Sequence, residues 1–309
     1  MAAQELCWLT YLLTDLGEQP RSPPVLYVDN KAMLALCREQ RLEHRTKHIA
    51  LHYFLARELQ QRGQLRLAYV ASETNTADVF TKALAPCDHQ RFCTQLGLSF
   101  LYILLCFALL DWSCDLLFSP TLPMGSIILV SVFSDPSLFL RTDTSLAPFY
   151  VLVYVDDLVF ATADTEALSL VMLELQKRHN CTDLGELRSY LGLQITRDRA
   201  RHTIALTQSH MVHQSVEPSG PYPELVGCLM YLMTYTRPDL AYPLSLLARY
   251  VAPGRHRKVH WDAAKRVQRY LCSTSGMGLM LGGRGPVVLT SHAGTSWVDD
   301  SATQRSSQG

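Results

Sequence analysis

Residues 149–164 read FYVLVYVDDLVFATAD, two runs of β-branched and aromatic residues (150–155 and 158–163) around Asp156 and Asp157. Short runs of this composition read as strands, and a two-residue gap is the length of a tight hairpin connection. Aspartate tolerates turn geometry, so a polar hairpin tip explains most X-D-D-X sequences. Here the strands are apolar on both faces, which predicts a buried hairpin carrying its carboxylates into a cleft. Adjacent carboxylates resist joint ionisation unless a cation lies between them. Magnesium fills that role in two-metal sites, where ions about 4 Å apart clamp the attacking and leaving oxygens.

The surrounding chain is long enough for one large or two ordinary domains, with 309 residues and 48% hydrophobic content to bury cores. Basic and acidic residues balance at 28 each. That excludes a strongly basic tail or an acidic solvating chain but leaves room for local basic patches. The nine cysteines form no C-x-x-C pair and no paired zinc spacing with histidines, so they read as reduced thiols of a cytoplasmic or nuclear protein. The opening MAAQELCWLTYLLTDLGE carries an early Glu5 and no basic n-region, which predicts a helix and no signal peptide.

Residues 99–130 hold no Lys or Arg and no clean period, and they separate two charged, patterned regions. The apolar run from Leu98 to Leu110 is shorter than the roughly 20 residues of a spanning helix. Asp111 and Asp115 interrupt its extension, and no flanking cation sets an orientation. A membrane-associated chimera held by residues 98–118 is therefore the weaker reading. A junction never selected to fold is the stronger one.

The tetrapeptide Tyr154-Val155-Asp156-Asp157 resembles the catalytic Y-V-D-D of reverse transcriptases. CTDLGELRSYLGLQITRDRARHTIALTQ (181–208), ELVGCLMYLMTYTRPDLAYPLSLLARYV (224–251) and HWDAAKRVQRYLCSTSGMGLML (260–281) resemble segments of the Pol polyprotein of copia-type LTR retrotransposons. VLYVDNKAMLAL (25–36), EHRTKHIALHYFLARELQQRGQLRLAYVAS (43–72) and NTADVFTKAL (75–84) resemble the C-terminal half of its ribonuclease H. The resemblance implies an α/β to α+β fold in incomplete pieces. Residues 1–98 would be a ribonuclease H-like half, 99–130 the junction, and 131–214 a partial palm carrying the hairpin. Residues 215–283 would form a helical thumb and connection region, and 284–309 the start of a second ribonuclease H-like domain.

By the same resemblance the activities are RNA-directed DNA polymerase and ribonuclease H, with Mg2+ as cofactor. RNA template, RNA/DNA hybrid and other Pol chains are the implied partners. Asp156 and Asp157 become polymerase metal ligands, and Asp29 and Asp78 two of the four ribonuclease H ligands. Asp29 follows the strand-like VLYV, and Asp78 opens a helix-like segment whose dipole favours an anion.

The order of these pieces is inverted relative to the family. Head-to-tail element copies read as one gene produce such an order, and so does a gene model joined across non-coding sequence. The third polymerase aspartate belongs in a D-V-x-x-A-F segment upstream of the hairpin. DVFTKAL (78–84) mimics that pattern only superficially. Gly294, in SHAGTSWVDDSATQRSSQG (291–309), stands where the first ribonuclease H aspartate is expected, and the ligand glutamate would fall just before AAQEL. A skipped segment is expected at Gln214-Ser215. The chain as written is thus expected to be inactive: a non-catalytic nucleic-acid-binding remnant, or a misjoined version of a working element.

His44, His48 and His52 recur every four residues, but one straight helix rarely wraps a tetrahedral zinc ion. The resemblance instead implies phosphate contact by Arg45, Lys47 and His48, and a solvated basic helix start explains them equally well. RHRKVHWDAAKRVQRYL (255–271) predicts an amphipathic helix with Val259, Ala263, Val267 and Leu271 on its apolar side. Its cations Arg255, Arg257, Lys258, Lys265, Arg266 and Arg269 suit a nucleic-acid backbone, or form an ordinary exposed face. GMGLMLGG (276–283) lacks the strand–turn–helix setting of a dinucleotide loop, and no G-x-S-x-G elbow points to a hydrolase.

Overall fold

The structure is a computed structural model, and it describes residues 2–18, 20, 22–38, 50–100, 108–110, 121–124, 127–179, 181–214, 221–283 and 288–294. Among the described residues it is a mixed α/β protein with ten α-helices and three sheets. None of these helices is long and apolar enough to cross a membrane.

The smallest sheet joins the two ends of the chain. Val25–Val28 is its central strand, paired in parallel with Arg66–Tyr69 on one side and Thr290–Ala293 on the other. Parallel neighbours need a crossover connection. Between Val25–Val28 and Arg66–Tyr69 the helices Lys31–Arg38 and Ala50–Gln61 lie along the chain. The opening helix Ala2–Asp15 also packs here, burying Ala3 and Leu6 with Leu26, Val28, Leu34, Leu59 and Leu67. Val25–Val28 and Arg66–Tyr69 of one piece and Thr290–Ala293 of another thus share one sheet, and Leu289 and Ala293 pack against the same core.

The hairpin lies in a seven-stranded antiparallel sheet. Its order is Cys181–Thr182, Ala108–Leu110, Asp157–Thr162, Phe149–Tyr154, Leu138–Arg141, Ile127–Ser131 and Thr121–Met124. Helix Thr165–Arg178 covers one face. It starts because Asp164 accepts from the Ala167 N–H, and it carries Glu166 in its first turn and Lys177 and Arg178 in its last. Its Ala167, Val171, Met172 and Leu175 pack on Phe149, Val151, Val153 and Leu158. The hairpin is consequently buried on that face alone: Tyr150 and Leu152 are half-buried and Tyr154 is exposed. The other face is only partly covered, by Ile195 of a neighbouring sheet against Val159 and by the Leu16 carbonyl, which accepts from the Tyr150 hydroxyl at 3.4 Å, so the expectation of full burial on both faces fails.

The junction also differs from expectation. Within 99–130, strands Ala108–Leu110 and Thr121–Met124 enter the seven-stranded sheet, and Ile127–Ser131 begins there. Leu98–Phe100 closes the edge of a third, five-stranded antiparallel sheet, next to Met277–Gly282, Thr203–Thr207, Leu193–Asp198 and Ser189–Tyr190. An apolar segment without alternation suits strands that complete existing sheets. Gly278 belongs to this sheet and to no nucleotide loop: a Cβ there would run into the Leu206 carbonyl on the neighbouring strand.

A helical layer completes the fold. Tyr222–Tyr235, Ala241–Ala248 and Lys258–Ser273 bury Leu225, Val226, Leu229, Leu232, Leu244, Ala264 and Leu271 together. At its centre is an ion pair, Arg237 with Asp239, in which both residues are almost wholly buried. The step expected at Gln214-Ser215 lies past helix Ser209–Gln214, outside the described residues.

Candidate carboxylate sites and nucleic-acid face

The two-residue connection of the hairpin is Val155-Asp156, because Tyr154 pairs with Asp157 as the last rung of the ladder. Asp157 therefore begins a strand, one residue away from the expected two-aspartate tip. Val155 takes φ +54 and is 62% exposed. A β-branched residue in the left-handed region is strained, and such strain persists only where the surroundings impose it. The turn leaves Asp156 exposed and Asp157 half-buried. Burial, with the neighbouring Asp156 charge behind it, holds the Asp157 carboxyl above its usual range. Tyr190 stands edge-on to Tyr154 at 6.3 Å. Burial first, then Asp157, push its hydroxyl up to about 12.

On the other flank of Asp157, strand Ala108–Leu110 places Leu109 in register with it. The strand position nearest Asp157 is thus apolar, and Asp111 and Asp115 lie outside the described residues. Among the described residues, Asp156 and Asp157 by themselves do not make the oxygen-rich set that a magnesium ion takes.

The second pair comes together where the chain ends meet. Asp29 follows Val25–Val28, and Asp78 opens the short helix Asp78–Thr81 at 4% exposure. Lys82 binds both: its Nζ is 2.8 Å from Asp78 Oδ2 and 3.9 Å from Asp29 Oδ2. Ser72 Oγ donates to Asp29 Oδ2 at 3.4 Å. Asp78 Oδ1 is buried without a hydrogen-bond partner. Gly294 faces that orphaned oxygen, for a Cβ on it would lie 3.4 Å from Asp78 Oδ1 and 3.1 Å from the Ala77 methyl. Asn75 ties the elements together by donating to the Ala293 carbonyl at 3.0 Å.

The structure therefore brings Asp29, Asp78 and Gly294 to one place and adds Lys82, which the sequence reading passed over. Its spacing of four from Asp78 was a legible signal, since i,i+4 pairs face each other on a helix. As arranged, the pair shares a single ammonium and, among the described residues, has no third carboxylate, which does not fit a two-magnesium centre.

Of the basic residues, Arg45, Lys47 and His48 lie outside the described residues, as does His44, while only the backbone of His52 is described. The second basic segment forms helix Lys258–Ser273, opened by a hydrogen bond from the Arg257 N–H to His260 Nδ1 at 2.9 Å. The buried line runs through Ala264, Gln268 and Leu271, one residue on from the expected Ala263 and Val267, and Val259 is 60% exposed. Gln268 sits in that line because the neighbouring helices, and not the apolar pattern alone, set the rotation.

Opposite this line, Lys258, Lys265, Arg266 and Arg269 fall within an arc of about 100° at 3.6 residues per turn. Lys265 lies over the Trp261 ring at 5.1 Å. Arg255, Arg257, Lys258, Arg266 and Arg269 are exposed. Among the described residues none of these six cations is in an ion pair.

Comparison with known proteins places the chain. It is 28% identical over 222 residues to the retrovirus-related Pol polyprotein from transposon TNT 1-94 of Nicotiana tabacum, covering 60% of this chain and 16% of that protein. It is 30% identical over 190 residues to a putative transposon Ty5-1 protein of Saccharomyces cerevisiae, covering 52% of this chain and 61% of that one. A third relative, the Pol polyprotein from transposon RE2 of Arabidopsis thaliana, is 40% identical over 95 residues, 31% of this chain and 6% of that protein. The chain is a relative of copia-type retrotransposon Pol polyproteins, and it spans less than two thirds of the length of these curated relatives. No family model matches it, and no solved structure matches it.

Proposed function

We propose that the chain is a rearranged Pol fragment whose reverse-transcriptase-like palm and ribonuclease H-like half do not catalyse, and whose remaining activity is binding of RNA/DNA hybrid. The supporting observation is shared by both carboxylate sites. Where a third carboxylate would be wanted, Leu109 stands in register with Asp157 and Gly294 faces Asp78. Lys82 supplies in addition a fixed cation at the second site. Two-metal chemistry needs ligands enough to hold both ions against their waters, and these sets fall short of that.

Binding is assigned to the cationic face of Lys258–Ser273, whose charges lack carboxylate partners among the described residues and therefore gain most from phosphate. The test pairs two assays on the purified chain with Mg2+. Primer extension and hybrid cleavage are expected to be absent, while hybrid binding is expected to weaken steeply with salt. A Lys258→Ala/Arg266→Ala/Arg269→Ala variant should lower the salt slope by about two to three, near one per lost phosphate contact. Extension abolished by Asp156→Ala would overturn the reading in favour of a working polymerase, and binding unaffected by the triple variant would remove the assigned face.

A further inference from the structure

One cluster outside these sites has metal-binding chemistry. Helix Pro86–Gln95 carries His89 and Cys93 one turn apart, and it packs against the turn Pro238–Leu240 in the helical layer. One ligand atom each from His89, Cys93 and Asp239 lies within 4.8 Å of the others. Cys93 and Asp239 are buried and His89 is half-buried.

The imidazole is already oriented. His89 Nε2 lies 3.4 Å from the Asp239 carbonyl oxygen and Nδ1 lies 3.6 Å from Cys93 Sγ. A ring that donates from Nε2 to a carbonyl presents the lone pair of Nδ1 to the thiol, the arrangement in which metal-binding histidines are held by an outer hydrogen bond. The Nδ1–Sγ separation also has the right size. Bonds of about 2.0 Å to nitrogen and 2.3 Å to sulfur, at a tetrahedral angle, put the two ligand atoms about 3.5 Å apart.

We infer that His89 Nδ1, Cys93 Sγ and one carboxylate oxygen of Asp239 form a zinc site that fastens helix Pro86–Gln95 to the helical layer. Binding replaces the thiol proton, which leaves to solvent, by a Zn–S bond. In the metal-free protein, burial and the Asp239 charge push Cys93 up to about 12 against the pull of Arg237, so the pair rests as a thiol–imidazole contact.

Arg237 holds Asp239 through both oxygens, at 3.0 and 2.8 Å, and Tyr270 donates to Oδ2 at 2.9 Å. A carboxylate has about four acceptor positions, so one remains. Arg237 also donates to the Thr274 carbonyl and hydroxyl, at 3.0 and 2.8 Å, and keeps those partners if the carboxylate turns. His89 and Cys93 therefore supply most of the affinity, and Asp239 is the weak third ligand. A soft thiolate with an imidazole selects zinc over magnesium or calcium.

Cobalt(II) is the probe, because a thiolate bound to it gives a near-ultraviolet charge-transfer band that zinc lacks. The full chain, reduced and metal-free, is expected to develop this band at one equivalent of Co2+ and to lose it on adding Zn2+. Cys93→Ser should abolish the band, and His89→Gln should weaken Zn2+ binding about tenfold or more, since even outer-partner losses cost 10–100-fold. Circular dichroism checks that both variants fold. Absence of the band in the wild type, or a band undiminished in Cys93→Ser, overturns the site. Should Cys93→Ser fail to fold, X-ray absorption of the zinc-loaded wild type decides: one sulfur at about 2.3 Å supports the site, and none or several refutes it.

Discussion

Gly294→Asp is the sharpest probe of the corner where Asp29, Asp78 and Gly294 meet. The substitution places a carboxylate at a position whose Cβ would lie 3.4 Å from Asp78 Oδ1. Asp78 is 4% exposed, so the new charge meets a buried like charge about 4 Å away. At an effective dielectric of about 20 that repulsion is ~4 kcal/mol. Lys82, already 2.8 Å from Asp78 Oδ2, offsets a good part of it. The net cost should be ~1–2 kcal/mol in chelator, with a smaller contribution from crowding against Ala77, 3.1 Å from the new Cβ. A divalent cation removes that cost by lying between the carboxylates. The assay is urea denaturation of wild type and variant in EDTA and in Mg2+ or Mn2+. The variant should be less stable than wild type in EDTA and regain stability with the metal, while the wild type should respond little. A variant indifferent to metal, or a wild type stabilised as strongly as the variant, would refute the argument that Gly294 vacates a ligand position and that Lys82 stands in for the cation.

Asp239→Asn should destabilise the chain by ~3–5 kcal/mol in urea denaturation, since it leaves Arg237, 1% exposed, without its charge partner. Arg237→Met with Asp239→Leu should cost less than that single change, because no unpaired charge is then buried. Val155→Gly should stabilise by ~1 kcal/mol in the same assay, as the left-handed penalty of ~1–2 kcal/mol outweighs glycine's entropic cost and little burial is lost at 62% exposure. Burial holds His292 below its ordinary value of 6.5, and its ring stacks on Tyr27 at 5.0 Å with Nδ1 buried and unpartnered. The neutral form is the folded one, so this contribution is full above pH 6.5 and is lost as pH falls through the lowered folded value. Stability measured from pH 7.5 downward should decline less in His292→Phe than in wild type.

The hairpin was legible because two strand-like runs with a two-residue gap allow few alternatives, yet its tip was misplaced by one residue. Register is set by cross-strand pairing and turn geometry, and a valine in the left-handed region contradicts the local preference any reading relies on. The Leu109–Asp157 pairing was not legible at all, for a segment with no polar alternation carries no register signal. The basic helix was legible as amphipathic, but its rotation depended on neighbours that accept Gln268 and leave Val259 outside. At the buried cluster the His89–Cys93 spacing was readable as one helical turn, whereas Asp239 reaches it only through tertiary packing.

The sheet shared by the chain's two ends carries the most consequence for the proposed rearrangement. Val25, Leu26 and Val28 are all buried, and Val25–Val28 is paired on both edges. A central parallel strand of this kind depends on both neighbours for its hydrogen bonds. One of those neighbours is Thr290–Ala293, so the N-terminal region completes its sheet with a strand from the far end of the chain. Inverting the order of pieces in a chain therefore does not by itself prevent them from meeting. Folded domains often hold their termini close together, and for that reason a change of connectivity can preserve contacts. On the proposed reading, the change at this corner is one of residue identity and not of order. Gly294 stands beside Asp78 with Lys82 as the counter-charge, so on that reading the architecture persists while a chemistry that wants three carboxylates does not.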